Sequence, residues 1–314
     1  MDKKKIFYNN PEIWGGIECT INRVKDAFFD QLDYAGFYQN PSVSAITDLG
    51  IKKLRFPILW EKHQPEHNGE IDWNWTEQQI DQIKKDGVDV IAGLVHHGSG
   101  PAYTNLLDDA FPELLAAYAK QVAQKFPFIE YYTPVNEPLT TARFSGLYGF
   151  WYPHHKQDSS FLKMLLNELK GTVLAMQEIR KINPAAKLVQ TEDLGKIYST
   201  PKLRYQANFE NERRWLTFDI LCGRLTPTHK LWKFFIAKGI KEKSLQFFID
   251  NPCVPDLFGF NHYLTSERFL DEKVHLYPPH THGSNGRHRY ADVEAVRVVM
   301  EEETGIEVLV KEAW

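Results

Sequence analysis

The run Tyr131-Tyr132-Thr133-Pro134-Val135-Asn136-Glu137-Pro138 carries an apolar segment straight into an amide, a carboxyl and a proline. A carboxyl placed there can deliver a proton, and the amide beside it can hold a neighbouring hydroxyl. Cleavage of a glycosidic bond uses that pairing. One carboxylic acid protonates the leaving oxygen, a second attacks or activates water from about 5 Å or about 6.5–9.5 Å away, and a hydrogen bond to the sugar 2-hydroxyl strengthens in the transition state. Glu137 is thus a candidate general acid/base and Asn136 a candidate 2-hydroxyl partner. The plainer alternative is a turn carboxylate ahead of a proline.

Similar polar endings recur along the chain. Short apolar runs alternate with helical patterns, and six of them read as strands: 13–20, 52–60, 88–98, 129–138, 186–195 and 256–267. The first ends on Glu18, and the second carries Arg55 and stops near Glu61. The third ends on His96 and His97, the fifth on Glu192 and Asp193, and the sixth carries Asn261, His262 and Tyr263. Between them, helices are expected over 42–50, closed by Gly50, and over 76–87, with Thr76 as N-cap and Gly87 as stop. Further helices fit 111–126, 161–183, the segments near 212–223 and 229–239, and 291–305.

Near-continuous apolar strands alternating with helices indicate a parallel sheet covered on both faces. A doubly wound sheet and a (β/α)8 barrel both satisfy that pattern. Only the barrel gathers all the polar strand ends at one mouth, and no GxGxxG follows the first strand. The expected fold is an α/β (β/α)8 TIM barrel, truncated after its sixth βα unit. Residues 1–314 then form a single domain, with strands 7 and 8 missing and 306–314 as the run-up to a seventh strand.

Net charge is −4, which gives no basic field for nucleic acid. Cys19, Cys222 and Cys253 are an odd set without CxxC spacing, so no disulfide framework is expected. The first residues lack the apolar core of a signal peptide, and no run approaches about 18 apolar residues. A cytoplasmic protein off the membrane is expected. The histidines of 278–290 lack the partners of a zinc site and read as a flexible loop. No metal or cofactor is expected. The charge run 300–304 reads as a solvated helix end.

Taken together, these motifs resemble glycoside hydrolase family 1 and its barrel clan. Thr-Pro-Val-Asn-Glu-Pro (133–138) is similar to that family's strand-four signature, which implies that Glu137 is the acid/base and Asn136 the 2-hydroxyl partner. Arg-Phe-Pro-Ile-Leu-Trp (55–60) resembles the strand-two motif, so Arg55 would steady the nucleophile. Leu-Val-His-His (94–97) resembles the strand-three motif, with His96 binding sugar hydroxyls. Gly-Phe-Asn-His-Tyr (259–263) resembles the strand-six motif, placing Asn261 and Tyr263 beside the site. Glu18 stands where the family has a sugar-binding Gln, and His97 replaces a Trp. No counterpart of the strand-seven nucleophile motif precedes Trp314.

The resemblance implies an O-glycosyl hydrolase acting with retention on a small-molecule or oligosaccharide β-glycoside. The chain also resembles family-1-like domains that precede a dTDP-4-dehydrorhamnose reductase-type domain, which gives a second reading: a sugar-binding barrel serving a fused reductase. Each residue keeps a plain alternative. Arg55 can be a buried ion pair, His96 a satisfied core histidine, Glu18 and Glu192 polar rim. The aromatic segment 142–155 can be a sugar-stacking wall or a hydrophobic lid.

Overall fold

The computed structural model describes residues 11–299 and 304–313. Six strands pair side by side in chain order, all parallel: β1 (Trp14–Gly16), β2 (Lys53–Pro57), β3 (Asp89–His96), β4 (Tyr131–Asn136), β5 (Lys187–Asp193) and β6 (Leu257–Asn261). Helices connect them: α1 (Val43–Thr47), α2 (Asn74–Lys85), α3 (Phe111–Lys125), α4 (Asp158–Ile182) and α5 (Glu242–Asp250). The inner strands β2 to β5 are covered on both faces, as their continuous apolar sequences require. The outer strands are not: Phe258 on β6 is 49% exposed.

The core between sheet and helices is largely aliphatic, with an aromatic cluster inside it. Trp60 stacks on Tyr118, and Tyr118 stacks on Trp73. The Tyr118 hydroxyl donates to the Ile58 carbonyl at 2.8 Å, which satisfies two buried polar groups at once. Helix α4 lies close on α3 at Gly171, where a Cβ would sit 3.0 Å from Leu115 Cδ2. Register sets the strand ends level. His96 lies opposite Asn136, and Asp193 opposite Asn261.

Two excursions build out the face at the strand C-termini. A hairpin, Ile21–Val24 with Ala27–Asp30, follows β1. It joins the loop after β4 through Tyr152 N–H to the Arg23 carbonyl at 2.7 Å, with the Arg23 guanidinium over the Tyr152 ring. Beyond β5 and β6, Ile197–Ser199, Arg268–Asp271, His282–Ser284 and Arg289–Glu294 form a small mixed sheet.

Several expectations are corrected. Thr76 is not an N-cap: it lies inside α2, buried against His63 Nε2 at 2.6 Å, while Asp72 accepts from the Asn74 N–H. An aspartate two residues ahead captures the backbone and starts the helix earlier. Segment 278–290 is no loose loop. It folds into a hairpin turning at Asn285-Gly286, with Gly286 at φ +80°. The helix expected over 291–305 is a strand to Glu294, with Ala291 and Val293 buried in alternation; residues 300–303 lie outside those described. Ile306–Ala313 is a helix, α6, and not the run-up to a strand. Leu309 is buried, and Glu312 pairs with Arg214 and Lys196. A short apolar run does not by itself separate strand from helix. No helix among the described residues is long and apolar enough to cross a membrane.

Close packing at the last strand pair yields a test. A Cβ on Gly259 would lie 2.5 Å from Thr191 Cγ2. Gly259→Ala is expected to lower stability by about 1–3 kcal/mol through overpacking, read as a drop in the urea midpoint.

Candidate active site

The sheet delivers its polar ends to one place, and Asn136 is the centre of it. Its Oδ1 accepts from Arg55 Nη1 at 2.7 Å, from the Thr191 hydroxyl at 2.8 Å and from Asn261 Nδ2 at 3.4 Å. Donors from β2, β5 and β6 thereby fix a side chain on β4. With the oxygen so occupied, the amide nitrogen faces His97 Nε2 at 3.4 Å.

Glu137 follows in a left-handed conformation, φ +46°, which a non-glycine residue adopts only when its surroundings impose it. Its N–H donates to the Thr191 carbonyl at 3.3 Å, and its carbonyl accepts from Thr141 N–H at 3.0 Å. The side chain is 3% exposed. Asn261 Nδ2 donates to Oε1, and Oε2 lies 3.6 Å from His97 Nε2. Burial raises the Glu137 carboxyl from its ordinary 4.5 to about 7, with Asp193 adding to the rise and the Asn261 contact opposing it. Burial and the Arg55 charge bring His97 down to about 4, so it is neutral at pH 7. A carboxyl that holds its proton near neutrality beside neutral partners has the properties of a proton donor.

The other expected residues are placed as follows. Arg55 is engaged by Asn136 and Thr191 (3.4 Å). His96 is 4% exposed and contacts Cys19 Sγ at 2.9 Å and Glu18 Oε2 at 3.8 Å. Glu18 is 58% exposed at the rim. Tyr263 is half-exposed, and burial, then Glu137 and Glu18, raise its hydroxyl. Glu192 is not rim: it is fully buried behind the sheet. There it accepts from Leu139 N–H (2.9 Å), Thr217 (2.6 Å) and Thr140 (3.2 Å), and burial with the Glu137 charge raises it to about 8.

One residue passed over in the sequence, Thr191, also belongs here, and the structure tells the two neighbouring histidines apart. Thr191 shares a face of β5 with Asp193 while Glu192 takes the opposite one, which the alternation of a strand predicts. His97, and not His96, is the histidine beside Glu137. The ring of His97 lies 5.3 Å from Trp151, which stacks on Phe144, with Tyr148 and Phe150 beyond. The segment after β4 is thus an aromatic wall of the mouth. No group of three or more metal-ligating side chains occurs among the described residues.

The raised Glu137 carboxyl carries a sign that can be measured. Folding takes up a proton there between pH 4.5 and about 7, so its contribution is a stability loss that grows as pH rises through that window and persists above it. Glu137→Gln is expected to match the wild type near pH 4 and to exceed it at pH 8 by up to roughly 3 kcal/mol. Urea unfolding at both pH values checks this; a pH-independent difference would contradict it.

No protein-family model matches the chain. Solved structures do. The fold is similar to a family 1 β-glucosidase from Thermotoga maritima, with TM-score 0.66 and 17% identity over 75% of this chain and 55% of that one. The same enzyme in complex with deoxynojirimycin gives 0.65 and 17%, over 76% and 56%. The AHE enzyme from Alicyclobacillus herbarius gives 0.64 and 16%, over 76% and 56%. The chain spans little more than half the length of these structures. The likeness shows an α/β fold with a parallel sheet similar to that of the family 1 β-glucosidase.

Proposed function

We propose that this chain is the acid/base-bearing part of a family-1-like β-glycosidase barrel that cleaves an O-glycosidic bond with retention. The observation that carries the reading is the buried, proton-holding Glu137 carboxyl beside Asn136, whose amide oxygen is locked and whose nitrogen faces His97. Glu137 protonates the leaving oxygen, then takes a proton from the attacking water. Asn136 holds the 2-hydroxyl. Asn261 orients the Glu137 carboxyl, and Arg55 holds Asn136. His96, Glu18 and Tyr263 bind sugar hydroxyls, and the rings of Phe144, Tyr148 and Trp151 line the side where an aglycone leaves.

The nucleophile is not Glu192, which is sealed from the mouth. A βα unit pairing with β6 on the side away from β5 would bring a second carboxylate to the same side, since consecutive strands of such a barrel end on one face. The sealed Glu192 also favours a second reading, in which the mouth binds a sugar without cutting it, as in a domain serving a fused sugar-nucleotide reductase.

Turnover of aryl β-glycosides by the complete protein separates the two. Glu137→Gln is expected to reduce kcat by about 10²–10⁴, the usual worth of a positioned acid/base, with sugar binding retained. Equal turnover by wild type and variant would remove the acid/base assignment. Binding without turnover by the wild type would leave the second reading.

A further inference from the structure

Cys19 is a buried polar side chain that the mechanism leaves without a task. Its Sγ lies 2.9 Å from Nδ1 of His96, and the two residues are 5% and 4% exposed. The other ring nitrogen, Nε2, lies 3.8 Å from Oε2 of Glu18 at the rim. We propose that Cys19 is a positioning residue: its thiol donates to Nδ1 of His96, fixes the tautomer with hydrogen on Nε2, and so sets an N–H donor beside the Glu18 acceptor for recognition of a neutral hydroxyl.

The same heavy-atom positions would also suit a thiolate–imidazolium pair, and burial decides against it. Both partners would lose their hydration, and a buried ion pair recovers that loss only with further hydrogen bonds to each charge. Burial holds the Cys19 thiol well above its usual value, against the pull of Arg55. Burial also brings His96 down to about 2, with His97 and Arg55 lowering it further. The pair is therefore neutral. In a neutral imidazole one nitrogen donates and the other accepts, and the bond at one nitrogen dictates the state of the other. A thiol S–H that donates a hydrogen bond to Nδ1 leaves the ring hydrogen on Nε2.

That choice defines the ligand group. An N–H donor beside a carboxylate acceptor fits a hydroxyl, which can accept from one and donate to the other. A ligand carboxylate or phosphate would accept from His96 but meet the Glu18 charge. The identification of the ligand as a sugar rests on the function proposed above; the tautomer does not.

Long-range ¹H–¹⁵N correlation of the His96 ring in the full chain at pH 7 tests the proposal, with the signals assigned by their loss in His96→Asn. The expected result is an unprotonated Nδ1 and a protonated Nε2 in the wild type, the same pattern in Cys19→Ser, and a mixture of tautomers in Cys19→Ala. Hydrogen on Nδ1, hydrogen on both nitrogens, or a Cys19→Ala ring identical to the wild type would overturn it. If Cys19→Ala does not fold, the wild-type and Cys19→Ser spectra still decide. In parallel, titration with methyl β-D-glucoside should show affinity reduced by up to about tenfold in Cys19→Ala, the worth of one neutral hydrogen bond. Equal binding of glucuronate and the glucoside would overturn the neutral-hydroxyl assignment. Failure of the wild type to bind any glycoside, with Nε2 protonated, would remove the sugar reading and leave the thiol's role in place.

Discussion

One amide oxygen holds the polar face of this sheet together. Asn136 Oδ1 accepts from Arg55, Thr191 and Asn261, so strands β2, β4, β5 and β6 are tied above the level of their backbone ladders. A parallel ladder fixes register but says nothing about rotamers. Here the side-chain bonds do that second task. Because they converge on an acceptor of fixed geometry, they also decide which way the amide nitrogen points, and with it the donor offered to the mouth. The Asn261 side chain bridges to Glu137, so the same network sets the carboxyl that follows.

Behind this face lies an unusual accumulation of buried acid. Glu192 is satisfied by the N–H of Leu139 and the hydroxyls of Thr140 and Thr217. Glu168 on α4 is fully buried, and neither of its carboxyl oxygens has a partner among the described residues. Burial first, and then Glu192, keep the Glu168 carboxyl well above the usual carboxylate range. A neutral Glu168 avoids the large penalty of an unpaired buried charge. Burial and the nearby Asp193 make loss of the Glu137 proton costly, and the Glu137 charge in turn helps to raise Glu192 on the other face of β5.

Much of the sheet was legible in the sequence because its strands are continuous apolar runs ending on polar residues. The existence and order of β2 to β5 follow from that pattern, although each expected run extends past the strand at both ends. The C-terminal segments were harder. Asn285-Gly286 is a strong hairpin signal, yet the surrounding histidines drew the reading toward a loose loop. Ala291 and Val293 alternate with polar residues, the mark of a half-buried strand, in a stretch whose glutamates and valines also fit a helix. For Ile306–Ala313 nothing local decides. The helix is held by contacts of Glu312 with Arg214 and Lys196, far away in sequence. Within the site, strand parity separates Thr191 and Asp193 from Glu192, whereas the pairing of His96 with Cys19 depends on how β1 and β3 sit in space.

Two neighbouring strands end on non-glycine residues with positive φ, His97 at +56° and Glu137 at +46°. Each such residue stores on the order of 1–3 kcal/mol of local strain. Both positions would be more comfortable with glycine, so selection for heat resistance alone would erode them first. Their retention in a protein under such selection would report that the mouth itself, and not the scaffold, was being preserved.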